Sequence, residues 1–468
     1  MDYAVKLPLL DYQKEGVDFL VNKKRALLAD EMGLGKTVQA ISAAMVLKKR
    51  GLIDKVLVIC PSSLKRQWKT EIAKFTDEDA TIPEGQSSRR KAMYENDTFF
   101  TIINYELGYR DFGEIYKQKW ALVILDETQR LKNWKTKTAR YIKGIAPPYR
   151  FALTGTPIEN RLEELHSILG FVDSRVLGPF WEFSDDYIVW TTKWFGRTQV
   201  RVIDGYKNLE RLRQRVGTVM LRRKKVEVLT ELPPLVQNTY RVQLVPAQKK
   251  LYKKVEKEIV TFINKRGVHK TINQVLSRIT YLREICDSPK MLSRDAVIGQ
   301  KTIELLEIVN DSVLAGRQII IFTQWTTMLD IIAEELTKNG ITFTTLHGGL
   351  NNNERQDSID TFTQGDVSVF LSSDAGAYGV NLQTASVVVN FDLPWNPAVL
   401  DQRISRAHRM GVKESVTVIN LITEDTIEER MLKMIQEKRW LANAVLDGEE
   451  AEHIPESTWS QIKEVMGI

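Results

Sequence analysis

Two stretches of this 468-residue chain repeat one alternation, short runs of Val, Ile and Leu separated by amphipathic helical patterns. An apolar run with no polar side marks a strand buried on both faces, and helices between such strands mark parallel pairing. An α/β chain with parallel sheets is therefore expected. In the first stretch the predicted strands are Arg25–Ala29, Lys55–Cys60, Phe99–Ile103, Trp120–Leu125 and Arg150–Leu153, with helices over Lys36–Lys49 and Leu64–Phe75. In the second they are Gln318–Phe322, Ile341–Leu346, Val367–Leu371, Ser386–Phe391 and Ser415–Leu421. Between the stretches a helical period dominates, carrying aromatics (Trp181, Phe183, Trp190, Trp194, Phe195) and basic clusters (Arg222–Lys225, Lys249-Lys250, Lys253-Lys254). The expected organisation is a first lobe over 1–172, helical insertions and a linker over 173–300, a second lobe over 301–446 and a short helical tail over 447–468.

Composition narrows the partners. The 66 Lys+Arg against 60 Asp+Glu give a formal +6, a mild excess that permits a polyanion without requiring one. Cys60 and Cys286, the two cysteines, stand in no metal-ligand spacing and read as reduced thiols. No apolar run reaches the ~18 to 20 residues of a membrane span, and Met1 leads into a charged, Pro-containing stretch. A soluble intracellular protein without a membrane partner is expected, in a bacterial or virus-infected cytoplasm, or in a nucleus.

The chemistry concentrates at Asp30-Glu31-Met32-Gly33-Leu34-Gly35-Lys36-Thr37, after one predicted strand and at the start of a predicted helix. Such a loop wraps phosphates with backbone N–H groups at a helix N-terminus. Lys36 is placed to reach β- and γ-phosphates, and Thr37 to offer a hydroxyl to Mg²⁺. Asp30 stands where the strict pattern has glycine, and a plain Gly-rich turn would share the outline. Asp126-Glu127 then closes the buried run Trp120–Leu125. Carboxylates there are costly unless they bind something, so Asp126 suits a metal site and Glu127 a base that orients water; a helix cap by Asp126 is the alternative. In the second stretch Gln402, Arg406 and Arg409 recur at i, i+4 and i+7, expected on one helix face. Arginines there suit the charge developing on a γ-phosphate, and a solvated basic face is the plainer reading.

In this order the motifs resemble those of superfamily-two helicases, specifically the Swi/Snf-type DNA-translocating ATPases. Leu10–Gln13 is similar to that family's adenine-sensing motif, and its phosphate loop has an acidic residue at the position of Asp30. Pro61–Leu64 with Gln67-Trp68, and Asn104-Tyr105-Glu106, resemble strand-contacting motifs of its first lobe. Leu153–Pro157 with Asn160 and Glu164 resembles its coupling motif. Leu282–Cys286 with Pro289 resembles a segment ahead of its second lobe. Ile321–Trp325, His347–Gly349, Ser372 through Gly379 and Leu382, and Asp392 with Trp395–Pro397 resemble its second-lobe motifs. The resemblance spans about Leu7 to Leu432. It implies two RecA-like lobes in tandem that use ATP and Mg²⁺. Lys36, Glu127, Arg406 and Arg409 would carry catalysis; Gln13, the loop Asp30–Thr37, Asp126, Gly379 and Gln402 would hold the nucleotide. Duplex DNA would lie on Ser62, Ser63, Asn104, Tyr105, Gln324, Trp325, His347, Gly348, Gly349 and Ser373, with a protein partner setting the target.

Two departures stand out. Gln129 replaces the family's His, leaving hydrogen bonding without charge, and Val412 replaces a Gln after Gly411. Asn104-Tyr105 and Gln324-Trp325 have core packing as their plain alternative, and Arg222–Lys225 a solvated helix face or a phosphate contact. The expected function is ATP-driven translocation on duplex DNA that remodels protein–DNA complexes. The alternatives are a strand-separating DNA or RNA helicase and a nucleotide-gated scaffold that hydrolyses weakly. No obvious strand-separating pin is legible in the sequence.

Overall fold

The computed structural model describes residues 3–195, 198–229, 231–266, 272–374 and 380–448. Fifteen strands lie among them: β1 (Arg25–Leu28), β2 (Val56–Cys60), β3 (Ala80–Thr81), β4 (Phe100–Asn104), β5 (Leu122–Asp126), β6 (Tyr149–Leu153), β7 (Ile188–Phe195), β8 (Thr198–Tyr206), β9 (Met220–Leu221), β10 (Leu235–Val242), β11 (Ile319–Thr323), β12 (Phe343–Leu346), β13 (Val369–Ser373), β14 (Val387–Asn390) and β15 (Val416–Thr423). They build a seven-stranded sheet ordered β3-β4-β2-β5-β6-β1-β9 and a six-stranded sheet ordered β10-β15-β14-β11-β13-β12. Pairings within both are parallel. The predicted apolar runs became these strands with ends moved by a residue or two, and the architecture is two RecA-like parallel-sheet lobes.

Contacts divide the chain into two compact units. The first holds Met1–Tyr187, Asn208–Glu231 and Ala444–Gly448; the second holds Ile188–Lys207 and Leu232–Asn443. In the first, the helices Asp11–Lys23, Lys36–Lys49 and Lys65–Phe75 pack one sheet face through Val17, Leu20, Ile41, Leu47 and Ile72 against Val56, Val58 and Ile124. Each such side chain contributes about 1.5–3 kcal/mol by leaving water. In the second, β11 presents Ile319 and Ile321 to one face and Ile320 and Phe322 to the other, and both faces are covered. Strand ends are thereby fixed, which is what places polar residues at sheet edges in either unit.

The middle stretch departs from expectation, because residues 173–300 hold strands as well as helices. β7 and β8 form an antiparallel hairpin that pairs with no other strand among the described residues, and Trp190, Trp194 and Phe195 lie on it. Its period-two alternation (Thr192-Lys193-Trp194, then Val200-Arg201-Val202) is short and lies between stronger helical patterns on both sides, the helices Phe180–Tyr187 and Leu209–Gly217. β9 is a two-residue edge strand, too short to show any period. β10 carries mostly exposed polar residues because it is the outer strand of its sheet. Of the expected tail, 449–468 lies outside the described residues. Among the described residues no helix is long and apolar enough to cross a membrane.

Candidate active site

The loop Asp30–Gly35, expected to wrap phosphates, lies between a strand and a helix as the sequence places it. β1 is buried from Ala26 on, the chain turns through Asp30–Gly35, and the helix Lys36–Lys49 begins at once. Gly33 and Gly35 take φ of +90° and +72°, a left-handed backbone that glycine adopts without steric cost. At Gly35 there is a second reason, since a Cβ there would stand 2.7 Å from Gln13 Nε2. Gln13 thus lies over the loop, and its Oε1 accepts from Leu10 N at 3.0 Å. Tyr12 donates from its hydroxyl to Leu34 O at 3.3 Å. Lys36 Nζ donates to the backbone oxygens of Asp30 (2.7 Å) and Glu31 (3.2 Å). Burial lowers the Lys36 pKa, opposed by the charges of Glu127, Asp30 and Asp126.

The paired carboxylates end β5 as expected. Asp126 is buried, with its Oδ2 accepting from the Trp68 indole N–H at 2.8 Å and its Oδ1 from Glu127 N at 2.9 Å. Burial first, and then the Glu127 charge, push the Asp126 pKa up to about 7, against the pull of Trp68 and Lys36. Glu127 has φ +52°, left-handed backbone on a residue with a side chain. Its Oε2 accepts from Gln129 Nε2 at 2.6 Å, and Gln129 Oε1 accepts from the Thr154 hydroxyl at 2.8 Å. Gln129 therefore joins the acid to the Leu153–Pro157 loop with two hydrogen bonds, itself carrying no charge. Gly155 of that loop packs on Met32 so closely that a Cβ would lie 2.6 Å from Met32 Cγ.

One hydroxyl and one carboxylate, Thr37 and Asp126, make no closed cage, and among the described residues no cluster of His, Cys, Asp and Glu could hold a metal by itself. That donor set fits Mg²⁺, which keeps most of its shell for water and phosphate oxygens.

In the second unit the helix Pro397–Ala407 starts on Asn396, whose side chain caps Ala398 N at 3.0 Å, with Pro397 in the first turn. It ends one residue before His408, which is extended and lies with Nε2 2.9 Å from Pro233 O. Arg406 is on the helix and Arg409 is beyond it, so the expected single face carries Gln402 and Arg406 alone. Arg406 Nε donates to Gln402 O at 3.1 Å. Arg403, read past in the sequence, is fully buried and donates from Nε to Asp374 Oδ1 at 2.6 Å and from Nη1 to Asn390 Oδ1 (3.2 Å) and Asp392 O (2.8 Å). Gly379 lies outside the described residues.

The expected DNA-facing residues separate by exposure. Ser62, Ser63, Gly348 and Gly349 are exposed, and His347 is half-buried with Nδ1 accepting from Gly349 N at 3.2 Å. Ser373 is buried at the end of β13, and Asn104 caps Leu107 N at 3.0 Å. Tyr105 is buried, donating from its hydroxyl to Asp126 O at 2.7 Å. Gln324 donates to Asp392, and the half-buried Trp325 donates from its indole to Asp287 Oδ2 at 2.9 Å. Trp68, grouped in the sequence with strand-contacting residues, is buried against Asp126. The Arg222–Lys225 run is neither a solvated face nor a surface contact at its core: Arg223 and Lys225 are buried beside the phosphate loop. An acidic residue at the root of that loop was the available signal, since a buried carboxylate needs a cation and this run is one supply.

Comparison with known proteins adds the lineage. A family described as the SNF2-related domain matches residues 12–291, and one described as the helicase conserved C-terminal domain matches 300–411. An uncharacterized ATP-dependent helicase of Mycoplasma pneumoniae is 34% identical over 450 residues, covering 94% of this chain and 42% of that protein. The human SWI/SNF-related matrix-associated actin-dependent regulator of chromatin subfamily A member 1 is 30% identical, covering 94% of this chain and 44% of its own length. The ISWI chromatin-remodeling complex ATPase ISW1 of Saccharomyces cerevisiae is 30% identical, with 94% and 40% covered. The chain thus spans about two fifths of these relatives (42%, 44% and 40%). A solved Sulfolobus solfataricus SWI2/SNF2 ATPase core in complex with dsDNA is 28% identical, with 99% of this chain and 98% of that chain covered and a TM-score of 0.46.

Proposed function

Because the chain belongs to the SNF2-related family of helicase-like ATPases, we propose that it hydrolyses ATP to move along double-stranded DNA and so remodel protein–DNA complexes. The observation that carries this reading is the hydrogen-bonded path from Glu127 through Gln129 to Thr154, which starts at a carboxylate whose charge acts on Lys36 and ends on a second loop. In this reading Glu127 orients the attacking water and Gln129 transmits its state to Thr154. Thr37 and Asp126 would hold Mg²⁺ with the nucleotide, and the ion would supply positive charge against the phosphates. Lys36 binds the phosphates, and Arg406 and Arg409 act on the γ-phosphate during turnover. Ser62, Ser63, Gly348 and Gly349, all exposed, offer small hydroxyls and backbone N–H groups of the kind that follow phosphates without reading bases.

The test is ATP turnover without nucleic acid and with single-stranded DNA, duplex DNA or RNA, beside a triplex-displacement assay. Duplex DNA should stimulate most and the triplex strand should be displaced. Turnover indifferent to duplex DNA would leave the scaffold reading standing instead. One observation favours a second reading, strand separation: the β7–β8 hairpin, which among the described residues joins neither parallel sheet and carries Trp190 with the Arg201 guanidinium 4.5 Å from its ring. Displacement of a strand from a forked duplex, lost on shortening the hairpin, would decide for it.

A further inference from the structure

Asp30 and Arg223 are 193 residues apart in sequence and form a two-pronged ion pair. Arg223 Nε donates to Asp30 Oδ1 at 3.0 Å and Nη2 to Oδ2 at 2.6 Å; the arginine is 8% exposed and the aspartate 0%. Nη2 also donates to Gln39 Oε1 at 3.0 Å, and Nη1 donates to Tyr12 O. Gln39 Nε2 donates in turn to Asp30 Oδ2 (3.2 Å) and Leu34 O (3.1 Å). The backbone agrees with the side chains. Glu31 N donates to Arg223 O at 3.0 Å, Lys225 N to Glu31 Oε2 at 2.7 Å, and Arg222 Nη1 to Ala29 O at 3.1 Å. β9 and the residues after it therefore run beside the three residues that enter the phosphate loop. Space is made for this at Gly16, where a Cβ would stand 1.8 Å from Gln39 Oε1 and 2.9 Å from Arg223 Nη2.

A phosphate loop of the strict pattern begins on a neutral glycine, whereas this one begins on a carboxylate held inside the protein. Left alone, that charge would oppose a polyphosphate. It is also attached to the residue whose backbone oxygen receives Lys36 Nζ at 2.7 Å, so its position is the position of the lysine. We propose that Arg223 is a positioning residue for ATP: by neutralising and clamping Asp30 it sets the affinity of the loop for nucleotide, without touching the phosphates itself. The proposal rests on the reading of Asp30–Thr37 as an ATP site.

The experiment is a double-mutant cycle on the full chain, measuring the dissociation constant of MgATP, KM and kcat. Arg223→Met should weaken ATP binding about tenfold or more, the effect of one charge at ~10 Å in an effective dielectric of about 20. KM should rise with it while kcat changes far less. Arg223→Lys, which keeps charge without the fork, should fall between, and it supplies the same comparison should Arg223→Met not fold. Adding Asp30→Asn to either variant should tighten ATP binding again, because the charge needing compensation is gone. A general packing role would lower stability and show no such rescue. Wild-type affinity in Arg223→Met, or a double variant that binds no better than the single, would overturn the inference while leaving ATP binding in place. A wild-type chain that binds no ATP would overturn this inference and the functional reading together.

Discussion

At Glu127 the backbone is held at φ +52°, a conformation that costs a residue with a side chain roughly 1–3 kcal/mol and persists where the surroundings fix it. Here they do, for Asp126 Oδ1 holds Glu127 N and Gln129 holds its carboxylate. Glu127→Gln should keep ATP affinity and lower turnover by ~10²–10⁴-fold, as when a positioned base is lost; phosphate release under saturating ATP measures it. A variant keeping more than about a tenth of wild-type turnover would remove Glu127 from that role. Gln129 is the neighbouring case. The sequence alone left its effect on coupling open, and the structure gives it both bonds a relay needs, one donated to Glu127 and one accepted from Thr154. Gln129→Ala should therefore leave ATP affinity intact and abolish DNA stimulation of turnover, whereas Gln129→His, which can also donate and accept, should retain much of it. Equal DNA stimulation in Gln129→Ala and wild type would show that Thr154 learns nothing from Glu127.

Among elements, the second sheet is tied to its surrounding helices by buried charge. Lys301, on the helix Gln300–Leu314, is fully buried and donates to Asp287 Oδ1 (3.1 Å), Glu428 Oε1 (2.5 Å) and Phe391 O (3.1 Å). One cation thus joins two helices to the end of a strand. Burial pushes Asp287 up to about 8, with Lys301 pulling it down. Lys301→Met would leave Asp287 and Glu428 uncompensated and should cost about 3–5 kcal/mol of stability, read from denaturant unfolding. That cost should be largest at alkaline pH and shrink as pH falls through about 8, where Asp287 takes up a proton. In the first unit His166, on the helix Leu162–Val172, lies with Nε2 3.0 Å from Gly178 O, and burial lowers its pKa. The folded protein therefore resists a proton that the unfolded chain accepts below about 6.5. Melting temperature should fall as pH drops through that region, and His166→Gln should fall less; identical pH profiles would exclude the histidine as the cause.

For the whole molecule, the functional reading asks residues distant in sequence to serve one reaction. Arg406→Ala and Arg409→Ala should each leave ATP binding largely intact, because Lys36 and its loop are untouched, and should lower turnover by ~10³-fold or more. Nucleotide affinity and DNA-stimulated turnover, measured for each, check this. The two need not be equal. Arg406 is fixed on the helix Pro397–Ala407 by its own backbone neighbour Gln402, while Arg409 follows the extended His408. Full DNA-stimulated hydrolysis in either variant would make that arginine a surface charge. Lys36→Ala is the contrast, since it should lose nucleotide affinity directly.

The sequence by itself determined the two parallel sheets and the places of the glycine-rich loop Asp30–Thr37 and the Asp126-Glu127 pair at strand ends, and the reason is local. A strand buried on both faces must be apolar along its whole length, and the loop that follows must carry its glycines and lysine in fixed order. Both signals sit within a few consecutive residues. What only the tertiary structure decided needed partners far apart in the chain. Trp68 and Tyr105 look like any aromatic in sequence, and their inward hydrogen bonds to Asp126 follow from how β2, β4 and β5 stack side by side. The hairpin at 188–206 alternates too briefly to outweigh the helices around it. Arg223 is the clearest instance. A basic run reads as surface because charge is costly to bury, and it is buried here because β9 adds to the sheet edge beside β1 and meets a carboxylate that is equally costly to leave alone.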